Sequence, residues 1–294
     1  MKKIMRSALP LGHAKNYVIA ATRPLVLTRK LVVTAFFFCG ATVFTSCSSD
    51  DNPVVDNGLA EKIVGKWIHT DTDGEAVTTD MKSVYTFEKN GNALKGYYSM
   101  SMTGSGVWAY YQETDVNVSS NNITLTSHLA DGVTSEVELT DVTVSGNDLR
   151  FMAKTTLSKN GQVTATYGPR QEHFTKTEAN YTKTVIGLWD IYFTSDDPEH
   201  ESSEPYREEY RADGTASFYD LIDGQWVEEK TDYSEYFADG PLFCFRWQKS
   251  DAGIDRRENW EIVSYEDGKM VNKALYRRAD GSTYTITAHL TKVE

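Results

Sequence analysis

The stretch IVGKWIHT, residues 63–70, returns as VIGLWDIY at residues 185–192. Both place a glycine two positions before a tryptophan, and Trp67 and Trp189 stand 122 positions apart. The likeness continues in order from these anchors. VYTFEKNGNALKGYY from Val84 is matched by EEYRADGTASFYD from Glu208, and GSGVWAYY around Trp108 by DGQWVEEK around Trp226. VSGNDLRFMAKTTLSKNGQVTATYG from Val144 is matched by YEDGKMVNKALYRRADGSTYTITAH from Tyr265. HFTKTE closes the first half as HLTKVE closes the second. A period this long marks a duplicated domain, not a solenoid repeat. The folded chain divides into residues 60–179 and 180–294, with the joint near TEANYTKT.

Within each half the pattern is that of strands. In NITLTSHL, Ile123, Leu125 and Leu129 share a parity, and in DLRFMAK so do Leu149, Phe151 and Ala153. Alternation at period two gives a strand one buried face. Asn-Gly and Asp-Gly pairs punctuate the runs, at Asn90, Asp131, Asn160, Asp213, Asp223, Asp239, Asp267 and Asp280, with SGND at Asn147. These pairs supply the positive φ angles of tight hairpins. No long helical periodicity follows residue 59. The expectation is an all-β chain of two tandem small antiparallel up-and-down β-barrels, closure removing the exposed strand edges.

Gly65-Lys66-Trp67 and Gly187-Leu188-Trp189, each heading a strand-rich unit, give both halves a resemblance to the lipocalin-like domains of small bacterial lipoproteins. The resemblance covers about residues 60 to 294. It implies that each indole plugs one end of its barrel under a basic residue from the last strand. By position those residues are Lys176 and Lys292. Each unit is shorter than a typical lipocalin, which leaves two interiors open: hollow, or filled with side chains.

The segment before residue 60 has a different character. Residues 31–44 are apolar, too few for a membrane span of about 18 or more, and Arg29 and Lys30 flank them. All seven bases before Cys47 stand without a single acid among them. A basic flank, a short apolar centre and small residues form a secretory signal. VFTSC resembles the end of a bacterial lipoprotein signal, with Cys47 as the lipidated residue of the mature terminus. SSDD directly after it resembles the export signal of Bacteroidetes-type surface lipoproteins. The reading is a signal peptide over 1–46 and a lipidated tether over 47–59. It implies a protein anchored in the outer membrane through acyl chains on Cys47 and exposed at the cell surface, since more than one chain gives stable anchoring.

Charge narrows the partners. The whole chain has 30 bases and 42 acids, and without residues 1–46 its formal charge is −19. Such a surface repels phosphate backbones and excludes nucleic acid as a partner. Only Cys244 of the three cysteines falls in the folded region, so neither an internal disulfide nor a thiolate metal site is expected there. The six histidines, His13, His69, His128, His173, His200 and His289, have no metal-ligand spacing. No nucleophile elbow, phosphate loop or zinc-protease motif occurs. We expect no metal, no cofactor and no catalysis.

Two features remain. SDDPEHESSEPYREEY gathers Asp196, Asp197, Glu199, Glu201, Glu204, Glu208 and Glu209, and reads as a solvated loop between the first two strands of the second domain. Aromatic residues are abundant, and pairs such as Tyr97-Tyr98 and Tyr110-Tyr111 must point to opposite faces of a strand. Inward ones suit an apolar ligand and exposed ones a sugar ring. Tyr98, Trp108 and Tyr110 in the first domain, and Tyr210, Trp226 and Tyr236 in the second, are the candidate ligand residues. The function expected is binding of a small apolar molecule or a glycan at the cell surface. The alternative is a scaffold module of a surface protein complex.

Overall fold

The computed structural model describes residues 58–294 except 92, 102–108, 130–131 and 250–255. The segment read as a signal peptide, Cys47 and most of the segment read as a tether therefore lie outside the described residues, as does Trp108. The chain is all-β, in two tandem lipocalin-like barrels.

Barrel 1 begins with a single helical turn, α1 (Leu59–Lys62), whose Leu59 is buried. Its strands are β1 (Gly65–Thr72), β2 (Glu75–Ala76), β3 (Val84–Asn90), β4 (Ala93–Ser101), β5 (Ala109–Ser119), β6 (Asn122–His128), β7 (Val133–Ser145), β8 (Asp148–Lys159) and β9 (Gln162–Thr177). Neighbours in sequence are neighbours in the sheet, except that the two-residue β2 pairs only with the C-terminal end of β1, opposite β9, while β3 pairs with its N-terminal half. β1 also pairs with β9, Trp67 opposite Lys176, and this closes an eight-stranded barrel. The period-two pattern behaves as expected. Ile123 and Leu125 of β6, with Leu149 and Phe151 of β8, are buried in one core with Trp67, Phe87 and Phe174.

Barrel 2 repeats the plan with β10 (Gly187–Ser195), β11 (Ser202–Tyr210), β12 (Ala216–Ile222), β13 (Gln225–Glu228), β14 (Thr231–Asp239), β15 (Leu242–Lys249), β16 (Arg256–Glu266), β17 (Lys269–Arg277) and β18 (Thr283–Lys292). β10 pairs with β18, Trp189 opposite Lys292. The sheet ends at β13 on one side and β14 on the other. One bridge, Thr215 to Glu235, and the bond from Tyr236 N–H to Gly214 O (2.8 Å) tie the ends together just before β12. Beyond them β12 turns back to pair with the short β13 instead of with β14. This barrel therefore keeps a seam where barrel 1 is closed.

The barrels pack through the outer faces of β1 and β3 against β14 and β15. Ile68, Val84, Leu242 and Cys244, which is in no disulfide, form a buried apolar cluster with Phe237 against it. The segment between β2 and β3 adds main-chain bonds: Thr79 N–H donates to Leu275 O (2.7 Å), and Asn259 N–H to Thr79 O (3.0 Å). Asp239 accepts from Ser99 Oγ (2.6 Å) and pairs with Lys66, while Lys82 reaches Glu261 at 2.5 Å. Apolar burial and satisfied polar groups together make this a fixed joint.

Candidate ligand site in the second barrel

The two barrels share one end-plug. Trp67 and Trp189 are both fully buried. Trp67 Nε1 donates to Ile63 O at 2.7 Å, and Trp189 Nε1 to Val185 O at 2.8 Å, each the carbonyl four residues earlier. Lys176 Nζ lies 5.4 Å from the Trp67 ring centre, and Lys292 Nζ 5.3 Å from that of Trp189, both within cation–π range. The glycines make room. A Cβ on Gly65 would stand 2.7 Å from Lys176 Cε, and one on Gly187 2.8 Å from Lys292 Cε. These six residues hold the closed ends, so any site must lie further along the barrels.

Above the plug of barrel 1 is a self-contained polar cluster. Glu172 is buried and accepts from Thr72 Oγ1 (2.7 Å), with His69 Nε2 also at 2.7 Å. His69 Nδ1 lies 3.3 Å from Met81 O and 3.4 Å from Ser83 Oγ, and its ring stacks on Phe174 at 4.5 Å. Ser83 has no exposed surface, so this serine–histidine–acid row offers a substrate no nucleophile. Tyr98 sits beside the cluster against Tyr85 (4.6 Å), and desolvation pushes its phenol up to about 12.

Barrel 2 is different at the same height. Tyr206, Glu208 and Tyr210 alternate inward along β11, and all three are buried. Together with Phe193, Phe218, Phe245, Trp247 and Trp260 they make an aromatic interior. It encloses a cavity of about 30 Å³ lined by Glu208, Glu258 and Asn272 among aromatic and aliphatic walls. That is room for about two water molecules. Among the described residues, Glu208 accepts only from the Tyr210 hydroxyl. Glu258 accepts from Tyr276 Oη (2.9 Å) and Trp260 Nε1 (3.1 Å). Neither carboxyl is in an ion pair with a described residue. Asn272, 3% exposed, has no partner for Oδ1, and neither has the buried Tyr206 hydroxyl. Desolvation, with Glu258 and Glu229 nearby, raises Glu208 well above the usual carboxylate range. Desolvation also raises Glu258, against the pull of Tyr276, Trp260 and Arg256. Four polar groups without full partners among the described residues, in one largely apolar interior, are costly to the free protein.

The candidate aromatics separate. Tyr210 and Tyr236 meet inside barrel 2 with ring centres 5.1 Å apart, and Tyr210 lines the cavity. Trp226 does not join them. It lies on β13, outside the barrel wall, with the Arg207 guanidinium 4.3 Å from its ring centre, because β12 and β13 leave the wall together. Tyr98 belongs to barrel 1, and Tyr110 pairs with Met100 across β4 and β5. The acidic stretch corrects the loop reading. Its first part turns through Pro198–His200, but Ser202–Tyr210 is strand β11 and Glu208 points into the core. Glu258 and Asn272 carried no sequence signal of their own. The one available for Glu208 was its parity with Tyr206 and Tyr210. His173 is held between Asp71 and Asp148, both at 2.7 Å, and His289 meets Thr194 at 3.0 Å, so both serve strand pairing.

Open grooves also lie between the barrels. One of about 220 Å³ runs along Thr79, Lys82, Asn259 and Lys273, and one of about 470 Å³ along Asp73, Asp80, Arg170 and Arg277. Both are shallow and mixed in charge.

Comparison with protein-family models finds no match, and none is found among curated proteins. Among solved structures, a protein of unknown function from the DUF3598 family of Nostoc punctiforme is 10% identical, with 79% of this chain and 97% of that one covered and a TM-score of 0.21. A double mutant of transferrin binding protein B from Haemophilus parasuis is 11% identical, with 79% of this chain and 59% of that one covered and a TM-score of 0.22. Similarity of this degree carries no functional information.

Proposed function

We propose that the chain is a lipid-anchored, non-catalytic binding protein of the bacterial outer membrane, and that the interior of barrel 2 is its receptor site. The observation that carries this is the cavity beside the seam, ringed by Glu208, Glu258 and the unpartnered Asn272. A core selected for stability alone avoids such groups, and binding sites are where they persist. The cavity as it stands is far smaller than a sugar ring or a lipid tail. A glycan or apolar ligand of ordinary size would enter only if β12 and β14 parted at the seam. Paired carboxyls also serve glycoside hydrolysis, but that chemistry needs a sugar ring held between them, which this volume does not admit. The anchor rests on Cys47 and its flanks. A Cys47→Ala protein should lose its acyl chains and its membrane fraction, and retention in the membrane would overturn that part.

Trp247 and Trp260 line the cavity, so their emission reports on its contents. Titration of the protein with panels of cationic, neutral polar and apolar small molecules should give a saturable change and a higher Tm for one class. No saturable response from any class would overturn the receptor reading. A second reading, the scaffold module, draws on the β12–β13 hairpin. It exposes Leu221, Ile222 and Val227 beside the free edge of β13, a surface suited to strand addition by a partner protein. Pulldown from intact outer membrane that recovers no stable partner would count against it.

A further inference from the structure

We propose that the cavity of barrel 2 selects a small ammonium cation, on the order of a methylammonium head group, held between Glu208 and Glu258. This rests on the receptor reading above and names its ligand class. With the two carboxyl groups ionised, the polar atoms offered are overwhelmingly acceptors: the carboxylates and the Oδ1 of Asn272, which has no partner among the described residues. A ligand that completes them must donate hydrogen bonds in several directions, as a primary ammonium does. The remaining walls are rings, and the faces of Trp247, Trp260 and Phe218 attract a cation within about 6 Å of a ring centre. An anion or a sugar hydroxyl array would meet no cationic or abundant donor group there. A metal ion fits poorly, since three side chains bearing oxygen donors fall short of the six to eight oxygens of calcium.

The contrast with barrel 1 supplies the second argument. There the buried acid, Glu172, has His69 at 2.7 Å and a threonine donor as built-in partners. The acids of barrel 2 have only neutral donors, the Tyr210 hydroxyl on Glu208 and Tyr276 and Trp260 on Glu258, and the Lys249 ammonium is already paired with Glu229 at 2.9 Å. The interior thus lacks one positive charge, which a ligand can bring. The formal charge of −19 beyond residue 46 draws cations toward the protein at low salt.

Binding has a proton signature. Burial keeps Glu208 and Glu258 protonated to higher pH than free carboxylates. A cation seated between them favours the ionised form, so uptake of the ammonium should release protons. Of the other groups nearby, the Tyr206 and Tyr276 phenols are raised and stay neutral, and the charged groups are Glu229 with its partner Lys249, Asp220 and Arg256.

The test uses the full lipidated protein in nanodiscs. Methylammonium chloride is titrated at constant ionic strength against sodium chloride, with methyl glucoside and 1-hexanol as neutral probes. Tryptophan emission is followed, and calorimetry is run in two buffers of different ionisation heat. The expected result is saturable binding of methylammonium with proton release. A Glu208→Gln/Glu258→Gln protein, folded by circular dichroism, should bind at least about tenfold more weakly, the loss of a charge-assisted contact. Equal binding by that variant would overturn the proposed site. If a neutral probe enters and methylammonium does not, the ammonium inference fails and the receptor reading stands. If no probe binds, both fail.

Discussion

Barrel 1 and barrel 2 descend from one plan, and they differ most where their interiors are polar. The register shows the substitution directly. Trp67 pairs with Tyr85 in barrel 1, and Trp189 pairs with Glu208 at the matching place in barrel 2. Four positions before the covering lysine, Glu172 of barrel 1 becomes Ala288 of barrel 2, and each faces a β-strand partner that also changes, from Phe151 to Asn272. One barrel keeps its acid with a histidine and closes its wall. The other moves the acid across the interior, sets no histidine beside it and leaves a seam. Shared ends and divergent interiors teach that the plug maintains the fold, while the cavity wall was free to take on a separate role.

The largest expected effect tests the shared part. Trp67→Ala and Trp189→Ala should each cost about 3–5 kcal/mol by urea unfolding. A loss under about 1 kcal/mol at either position would break the equivalence of the two plugs.

The next test should split the barrels by sign. Glu172→Gln weakens a hydrogen-bonded buried pair and should cost about 1–3 kcal/mol at pH 7.5. Glu208→Gln should stabilise at the same pH, because it removes an acid raised by burial. The folded state of the parent holds a proton that the unfolded chain gives up above the ordinary glutamate value of 4.5. Stability contributed by Glu208 is therefore greatest below that pH and falls as pH rises toward the folded midpoint. The Glu208→Gln protein should show a flatter thermal-melting profile across that interval. Destabilisation by both variants would remove the distinction between the interiors.

A smaller effect concerns the joint. Asp239→Ala removes an acceptor shared by Lys66 and Ser99 and should cost about 1 kcal/mol. In a chain starting at Ser48 the only thiol is Cys244, buried in the joint. Its labelling should quicken roughly fivefold in the variant, as local opening becomes easier. The smallest effect is expected at Trp226. It packs outside the wall under Arg207, so Trp226→Ala should change stability by no more than about 0.5 kcal/mol and leave the cavity emission response intact.

The plan of the fold was legible in the sequence because its signals are local and doubled. Gly65, Trp67, Gly187 and Trp189 recur in register, and the Asn-Gly and Asp-Gly turns space the strands. The site was far less legible. Glu208 sits in a run of seven acids whose composition reads as solvated, and only its alternation with Tyr206 and Tyr210 betrays a buried face. Glu258 follows two arginines and looks like surface charge until β16 turns it inward. Trp226 misled in the other direction, since an aromatic residue on a short strand gives no hint that the strand leaves the barrel wall. The joint between barrels depends on contacts such as Thr79 with Asn259, 180 positions apart, which no local pattern encodes.

The central claim is that barrel 2 holds carboxyls without an internal counter-charge. The most direct measurement is a carbon-13 NMR titration of the glutamate carboxyl signals in ligand-free protein, with Glu208 and Glu258 assigned through their Gln variants. The account predicts that both midpoints lie above the ordinary glutamate value of 4.5, with Glu208 well above it. Midpoints at or below that value would show that both acids already have a cationic partner, and would contradict it.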